Sequence, residues 1–404
     1  MHVLLADAID ESAVAALREA GHTVDVEPSL TTDDLPLRLE HVDALVVRST
    51  KVNSEAIGSS AQLSLIVRAG AGVENIDVDA ASSQGIHVCN VPARNAVAVA
   101  ELTMGLLLAT DRHVAQATAD LREGRWSKEA YSDAEGLMGR TLGIVGLGEI
   151  GLCVAERAKA FGLVIVGLRR PNRQPEAEAR IRSVGIRLVD SIEQLVAMSD
   201  IVSLHVPAAD DTMSLVDAAL LQGFRDGAIL LNTSRGDMID EDALIAAMDT
   251  RGIRAGLDVF RDEPRSGKTE FNSKLAKHPN VIGTHHIGAS TSQAQRSVAA
   301  GVAETVQAFA SGSPINCRNL VERGAGVSTL TIRHYDRVGV LAAVFSVLRG
   351  AGVNVQHMEN RVFEGGQAAV ASIDVTKGLT PELHAELLAL SDVLGVAVNE
   401  LAVR

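Results

Sequence analysis

The stretch that most constrains this chain runs from Thr141 to Gly151. An apolar run ending at Val145 predicts a buried parallel strand, and Gly146, Gly148 and Gly151 follow it at the spacing G-x-G-x-x-G. In a strand, turn and helix of this kind the first glycine allows the tight turn. The second lets a pyrophosphate approach the backbone, and the third lets the helix pack closely on the strand. The unpaired amides of a helix beginning near Ile150 favour an anion. Flexible loops produce the same spacing by chance, so the setting decides. Here the helical pattern continues through Val154, Ala158 and Phe161 to a capping Gly162, and Leu163 to Leu168 supplies the second strand of a β-α-β unit.

A chain of 404 residues accommodates two or three domains at about 150 residues each. Apolar residues make up 47% and aromatic residues only 2%, so the interior is built from Ala, Val, Leu and Ile, as in α/β proteins. A formal charge of −14 without a basic run argues against a nucleic-acid partner. Cys89, Cys153 and Cys317 are odd in number, far apart and without a C-x-x-C pair. No disulfide framework or zinc site is expected from them, and they read as ordinary buried thiols. The start of the chain lacks a basic region, and no uncharged apolar run approaches 18 residues, so a cytoplasmic protein without a membrane partner is expected.

Residues 1 to about 90 alternate short apolar strands, near Val3–Leu5, Ala44–Val47, Leu65–Arg68 and His87–Cys89, with amphipathic helices, the first from Glu11 to Ala20. From Ala96 to about Leu121 an Ala-rich pattern predicts one long connecting helix. Beyond the Gly-rich loop, strands near Leu163–Leu168, Ile201–Leu204, Ala228–Asn232, Ala255–Asp258 and Val281–Thr284 describe a doubly wound sheet. A helix over Ser290–Ala310 follows, then a linker at Gly324–Gly326. Residues 327–404 change character to β-α-β-β-α-β, with strands at Thr329–Ile332, Val353–Arg361, Gln367–Val375 and Gly395–Leu401 and helices at Val338–Arg349 and Pro381–Leu390. This is a ferredoxin-like order that should fold as a separate module.

A dinucleotide site working on a hydroxyl needs a group that grips the substrate and an acid/base for the hydroxyl proton. In doubly wound sheets ligands bind outside the carboxyl ends of the strands. Arg235, Glu263 and His286 fall there, after three different predicted strands. A guanidinium is the natural bidentate partner of a carboxylate. Histidine titrates near neutral pH and suits proton transfer. A carboxylate such as Glu263 orients an imidazole by hydrogen bonding. Taken singly, each is equally an ordinary surface arginine, a structural histidine or a loop acid.

Together with their flanking segments they resemble a family. Gly143–Gly151, Leu231–Asp240, Gly256–Pro264 and His286–Thr291 resemble the D-isomer-specific 2-hydroxyacid dehydrogenases, oxidoreductases acting on a CH–OH group. The resemblance implies that Arg235 binds the substrate α-carboxylate, His286 is the acid/base and Glu263 supports it. It implies a nicotinamide cofactor held at Gly146, Gly148, Glu149, Ile150 and Gly151, lined by His205, Val206, Pro207, Thr212, Thr233, Ser234 and Gly288, with Asp258 facing the nicotinamide amide. The implied fold is α/β, with a Rossmann nucleotide domain over 91–288 and a discontinuous, flavodoxin-like substrate domain over 1–90 and 289–317. The active site would lie in the cleft between them, which hinge closure would dry.

Val47–Lys51 and Val67–Asp77 resemble the substrate loops of the branch of that family acting on 3-phospho-D-glycerate, at the first step of L-serine synthesis. Arg48, Ser49, Lys51, Gly70, Ala71, Gly72 and Asn95 would then meet the substrate, Arg48 and Lys51 holding its phosphate; Lys51 equally suits a solvated charge after a strand. Reduction of glyoxylate or hydroxypyruvate is the near alternative. A dinucleotide-sensing protein without turnover, as some co-repressors of this family are, is the distant one. Gly124–Lys128, with the only Trp, Trp126, resembles a segment that meets a neighbouring subunit, implying a homo-oligomer, a dimer or tetramer. Residues 327–404 look like an ACT domain, an amino-acid-binding regulatory module, with His334, Asp336 and Asn354 at the effector positions. Asp336 stands where serine-regulated members carry Asn, and Val338 where they carry Pro, which departs from serine regulation; a module for subunit pairing is the alternative.

Two further departures matter. After the second strand of the nucleotide domain, NAD-specific members carry an acid that grips the adenosine ribose, whereas this chain has Arg169, Arg170 and Arg173. Arginine accommodates a 2′-phosphate, so NADP is expected over NAD. His285 stands where the family usually has Pro, giving two adjacent histidines, of which the spacing to Ile287 and Gly288 selects His286.

Overall fold

Continuous apolar runs of four or five residues recur along the first 290 positions, and such runs become strands buried on both faces. The computed structural model describes residues 1–171, 173–207, 212–264, 269–320 and 328–400. Its contacts divide the chain into two units, Met1–Asn319 and Leu320–Arg404.

The first unit holds two parallel sheets. Strands β1 (His2–Leu5), β2 (Thr23–Val26), β3 (Ala44–Val47), β4 (Leu65–Arg68) and β5 (His87–Asn90) lie in the order β2-β1-β3-β4-β5. That is the flavodoxin-type doubly wound order. The edge strand β2 is absent from the sequence expectation because Thr-Val-Asp-Val buries only Val24 and contains no apolar run. Helix Glu11–Glu19 starts at Asp10, whose carboxylate accepts the Ser12 N–H at 3.1 Å. Helix Ser292–Ala310 starts at Thr291, whose hydroxyl oxygen accepts the Ala294 N–H at 3.1 Å. It returns to this sheet, packing Val302, Ala303 and Val306 with Val3, Leu5 and Val67.

Strands β6 (Thr141–Val145), β7 (Val164–Leu168), β8 (Arg187–Val189), β9 (Ile201–Leu204), β10 (Ile229–Asn232), β11 (Arg254–Leu257) and β12 (Val281–Gly283) form the second sheet, in the order β12-β11-β10-β9-β6-β7-β8. The strand order reverses between β6 and β9, and that switch point is where a doubly wound sheet opens a ligand crevice. β8, three residues long, also escaped the sequence expectation.

The single helix expected over Ala96–Leu121 is corrected to two, Ala96–Asp111 and Val114–Arg122. His113 between them takes a left-handed φ of 52°. The physical cause is a change of environment at Asp111, which is fully buried and accepts a hydrogen bond from Arg140 Nη1 at 2.8 Å. The first helix buries residues on all sides, while the second buries none. An Ala-rich pattern carries no signal for that switch.

The thiols also differ from expectation. Cys317 is only half-buried and faces Cys89 of β5, with 2.8 Å between the two Sγ atoms. Cys153 is buried in helix Glu149–Ala160. No helix among the described residues is long and apolar enough to cross a membrane.

The second unit is antiparallel. Strands β13 (Ser328–Tyr335), β14 (Val355–Val362), β15 (Ala368–Val375) and β16 (Val393–Glu400) lie in the order β14-β15-β13-β16, with helices Val340–Gly350 and Pro381–Leu388 between them in the chain. Its own core contains Leu330, Ile332, Val344, Leu348, Ile373 and Leu387. The expected linker at Gly324–Gly326 and the last expected strand residue, Leu401, lie outside the described residues.

Candidate active site

The Gly-rich turn is built of backbone because side chains would not fit it. Gly146 has φ +101°, and a Cβ there would run into the His205 carbonyl. A Cβ on Gly151 would run into the Gly146 carbonyl oxygen. Gly148, which caps helix Glu149–Ala160, instead faces open space. The cradle therefore fits a dinucleotide pyrophosphate approaching bare amides at a helix start. Glu149 is held away on the helix surface, 2.8 Å from Arg180 Nη1. Thr212 donates its hydroxyl to the Pro207 carbonyl at 2.8 Å.

Past the end of β7 there is no acid. Arg169 pairs with Asp190 at 2.8 Å, both exposed. Arg173 donates from Nη2 to the Leu168 carbonyl at 2.5 Å, while its buried Nη1 has no hydrogen-bond partner among the described residues. Burial lowers the Arg173 pKa, and the neighbouring charges of Arg170 and Arg169 act in the same direction, against the carboxylate of Glu178.

A cleft of about 1450 Å³ opens over the carboxyl ends of both parallel sheets. Ile150, His205, Val206, Pro207, Thr233, Ser234, Asp258 and Gly288 line it, as do Arg235, Glu263 and both His285 and His286. Arg48, Ser49, Lys51, Gly70, Ala71, Gly72 and Asn95 line it too. Arg169 and Arg170 lie outside this lining, beyond β7.

Within the cleft His286 Nδ1 is hydrogen-bonded to Glu263 Oε1, and Glu263 Oε2 accepts the Phe260 N–H at 3.2 Å. This pairing gives Nδ1 the proton and leaves Nε2 as the ring's open atom. His285 shows no such partner for its ring among the hydrogen bonds of the described residues, so the carboxylate singles out His286. The histidine loop hangs from Asp258, which is 1% exposed. Its carboxylate accepts the Thr284 hydroxyl at 2.5 Å and the N–H groups of Ile287 and Gly288 at 2.8 Å each, and its carbonyl accepts the His286 N–H at 2.8 Å. Asp258 thus holds the loop from the cleft wall.

On β10, buried Asn232 shapes the following turn. Its Oδ1 accepts the Ser234 N–H at 3.0 Å and its Nδ2 donates to the Arg235 carbonyl at 2.8 Å. Arg235 Nη2 reaches Glu74 Oε1 at 3.5 Å, across the cleft from the second sheet to the first. His205 donates or accepts at Nε2 with Ser203 Oγ, 2.8 Å away, and burial lowers its pKa to about 4.

The sequence reading missed two groups here. Buried Asp7 gathers the loop after β3, accepting the N–H groups of Arg48, Ser49 and Thr50 at 2.7, 3.1 and 3.0 Å and the Ser49 hydroxyl at 2.9 Å. Arg68 ends β4 beside Arg48 and Arg235. Burial lowers its pKa; the Glu74 carboxylate opposes this, and the Arg235 and Arg48 charges add to it. Its Nε is buried without a hydrogen-bond partner among the described residues. Three guanidiniums thus converge on one cleft. The rule that selected Arg235, a charge at the carboxyl end of a buried parallel strand, applies equally to Arg68.

In the second unit His334 is 2% exposed, its ring nitrogens paired with the Tyr335 carbonyl at 2.8 Å and Asn360 Oδ1 at 3.0 Å. Asp336 and Asn354 are exposed. The register sets His334 opposite Ala369, while the Asn354 carbonyl accepts the Thr376 N–H at 3.1 Å. His334 and Asn354 therefore sit at opposite ends of β15, and one module does not bring the effector candidates together.

Comparison with known proteins matches residues 104–288 to the NAD-binding domain of the D-isomer specific 2-hydroxyacid dehydrogenases. A D-3-phosphoglycerate dehydrogenase from Methanocaldococcus jannaschii is 40% identical over 330 residues, which are 80% of this chain and 61% of that protein. A hydroxypyruvate reductase from Thermotoga maritima is 40% identical over 302 residues, 74% of this chain and 95% of that protein. A solved Thermus thermophilus structure superposes with a TM-score of 0.68 at 33% identity, covering 79% of this chain and 100% of that one. The chain spans about three fifths of the length of the phosphoglycerate dehydrogenase first matched. With the Arg235 turn and the paired His286 and Glu263 in one cleft, and the Gly-rich turn opening the helix whose Ile150 lines it, the chain belongs to the D-isomer specific 2-hydroxyacid dehydrogenases.

Proposed function

We propose that the chain interconverts 3-phospho-D-glycerate and 3-phosphohydroxypyruvate, the activity of a D-3-phosphoglycerate dehydrogenase and the first step of L-serine synthesis. The observation that carries this reading is the convergence of Arg48, Arg68 and Arg235 on the cleft that also holds His286 and Glu263. A phosphorylated hydroxyacid presents two anionic groups and one hydroxyl, and this cleft offers matching cations and one acid/base. Bound in the Gly-rich cradle, a nicotinamide cofactor would supply hydride chemistry at the substrate C2.

Arg235 grips the α-carboxylate bidentately, exchanging its Glu74 contact for the substrate. Arg48, Arg68 and Lys51 take the phosphate. His286 Nε2 removes the hydroxyl proton during oxidation and returns it during reduction, and Glu263 holds Nδ1–H so that the ring keeps this orientation. The substrate half is residues 1–90 with 289–317 and the nucleotide half 91–288, and closure of one on the other excludes water.

The finer assignments follow the same chemistry. Arg169, Arg170 and the Nη1 of Arg173, without a hydrogen-bond partner among the described residues, favour the 2′-phosphate of NADP over the bare ribose of NAD. Exposed Trp126, at 82%, and helix Val114–Arg122 without a buried residue support a homo-oligomer through this arm. Residues 327–404 act as an ACT module, and an amino-acid site using His334, Asp336 and Asn354 together is shared between two modules.

A second reading, reduction of hydroxypyruvate or glyoxylate, is favoured by the near-complete coverage of the Thermotoga relative. Initial rates with 3-phosphohydroxypyruvate, hydroxypyruvate and glyoxylate against NADPH and NADH separate the two. Preferred turnover of the phosphorylated acid supports the first reading, and faster turnover of the unphosphorylated acids replaces it with the second. No turnover with any hydroxyacid would leave a dinucleotide-sensing role.

A further inference from the structure

We infer that Cys89 and Cys317 form a reversible disulfide, a modification site that clips the segment leaving the first unit onto strand β5. Residues 316–318 run antiparallel beside 88–90, and Cys89 and Cys317 are bridge partners. The Asn90 N–H donates to the Asn316 carbonyl at 3.1 Å and the Arg318 N–H to the Val88 carbonyl at 2.7 Å, so the two cysteines are the non-hydrogen-bonded pair between those bonds. Such a pair brings Cα atoms to about 4.5 Å, within the range a disulfide spans. The Sγ atoms already lie 2.8 Å apart. Asn319 fixes the register, its Oδ1 accepting the Val88 N–H at 2.9 Å and its Nδ2 donating to the Ile86 carbonyl at 2.8 Å.

The two thiols have different tasks. Cys89 is fully buried, and burial followed by the neighbouring Cys317 pushes its thiol up, away from the reactive thiolate. Cys317 is half-buried and meets the oxidant first. With a peroxide, the Cys317 thiolate attacks one peroxide oxygen, the O–O bond breaks, and the departing oxygen leaves as water with a proton from solvent. The Cys89 sulfur then attacks the Cys317 sulfenic sulfur, the S–S bond forms, the S–O bond breaks, and the second water carries away the Cys89 proton. Two thiols are oxidised to one disulfide while one peroxide is reduced to two waters.

The location links this bond to the substrate side of the cleft. Next to Cys89, Asn90 Nδ2 donates to the Ala71 carbonyl and the Val91 N–H donates to the Gly70 carbonyl at 2.9 Å. The strand being clipped is the one that buttresses the Gly70–Gly72 loop. The crosslink also joins residues 228 positions apart, so it removes much freedom from the unfolded chain.

The test treats the full chain with one equivalent of hydrogen peroxide, alkylates the remaining thiols, and maps peptides without reduction. The expected result is a peptide carrying Cys89 linked to one carrying Cys317 within one chain, with Cys153 alkylated, reversed by dithiothreitol. The thermal midpoint of the first unit should rise by several degrees in the oxidised wild type, and C317S should show no such rise. Because Cys317 is half-exposed, C317S folds even if a Cys89 variant does not. Alkylation of both Cys89 and Cys317 after treatment, a link between two chains, or an oxidation-induced midpoint shift retained in C317S would overturn the inference. None of these outcomes depends on which hydroxyacid is turned over.

Discussion

His286 takes a left-handed φ of 54°, a conformation that is uncommon outside glycine. The surrounding bonds fix it, since Asp258 binds the backbone on both sides of the ring and Glu263 binds the ring itself. Strain held this firmly is found where a side chain must be aimed. Replacing His286 by Gln should lower kcat by roughly 10²- to 10⁴-fold, the usual worth of a positioned acid/base, while cofactor binding measured by nicotinamide fluorescence stays within twofold. Full activity in that variant would remove His286 from the mechanism. His205 behaves differently. Its folded pKa, about 4, lies below the ordinary histidine value of about 6.5, so the unfolded chain binds one more proton between those values. Its contribution is complete above about pH 6.5 and is lost as pH falls toward 4, at up to about 1.4 kcal/mol per pH unit. Denaturant titrations over that window should show a shallower decline in a His205→Asn variant than in the wild type.

At the scale of elements, the Gly-rich turn separates two jobs that the three glycines share in sequence. Gly146 and Gly151 are required by the fold because a Cβ would strike backbone. Gly148 has φ −80° and empty space before it, so its lack of a side chain serves only what approaches from outside. A Gly148→Val variant should therefore fold with a thermal midpoint close to wild type and lose cofactor affinity by at least about tenfold, a difference of about 1.4 kcal/mol. Equal loss of stability and affinity would show that the turn itself had failed. The loop after β3 is organised by one buried carboxylate, Asp7, which collects the amides of Arg48, Ser49 and Thr50 at the cleft wall.

For the whole molecule, the two units have separate cores, the second closed by its own apolar residues between Leu330 and Val396. Calorimetry of the full chain should resolve two transitions. A chain ending at Asn319 should retain the upper or lower one unchanged and keep its turnover, while losing any response to amino acids. Loss of the remaining transition on truncation would show that the first unit depends on the second for stability.

What the sequence determined by itself is what short-range chemistry writes into neighbouring residues. Apolar runs marked most strands of the two parallel sheets to within a residue or two, the glycine spacing marked the strand-turn-helix at Gly146–Gly151, and strand ends marked the candidates Arg235, Glu263 and His286, which the structure brings to one cleft. The tertiary structure alone decided whatever depends on residues distant in the chain. It supplied the polar edge strand β2, the break at His113 set by the Asp111 contact with Arg140, and the convergence of Arg68 with Arg48 and Arg235. It turned Cys89 and Cys317 from unrelated thiols into neighbours, and separated His334 from Asn354 by the register of β15. Periodicity and turn chemistry act over a few residues, whereas buried ion pairs and strand register are set by what the folded chain brings alongside.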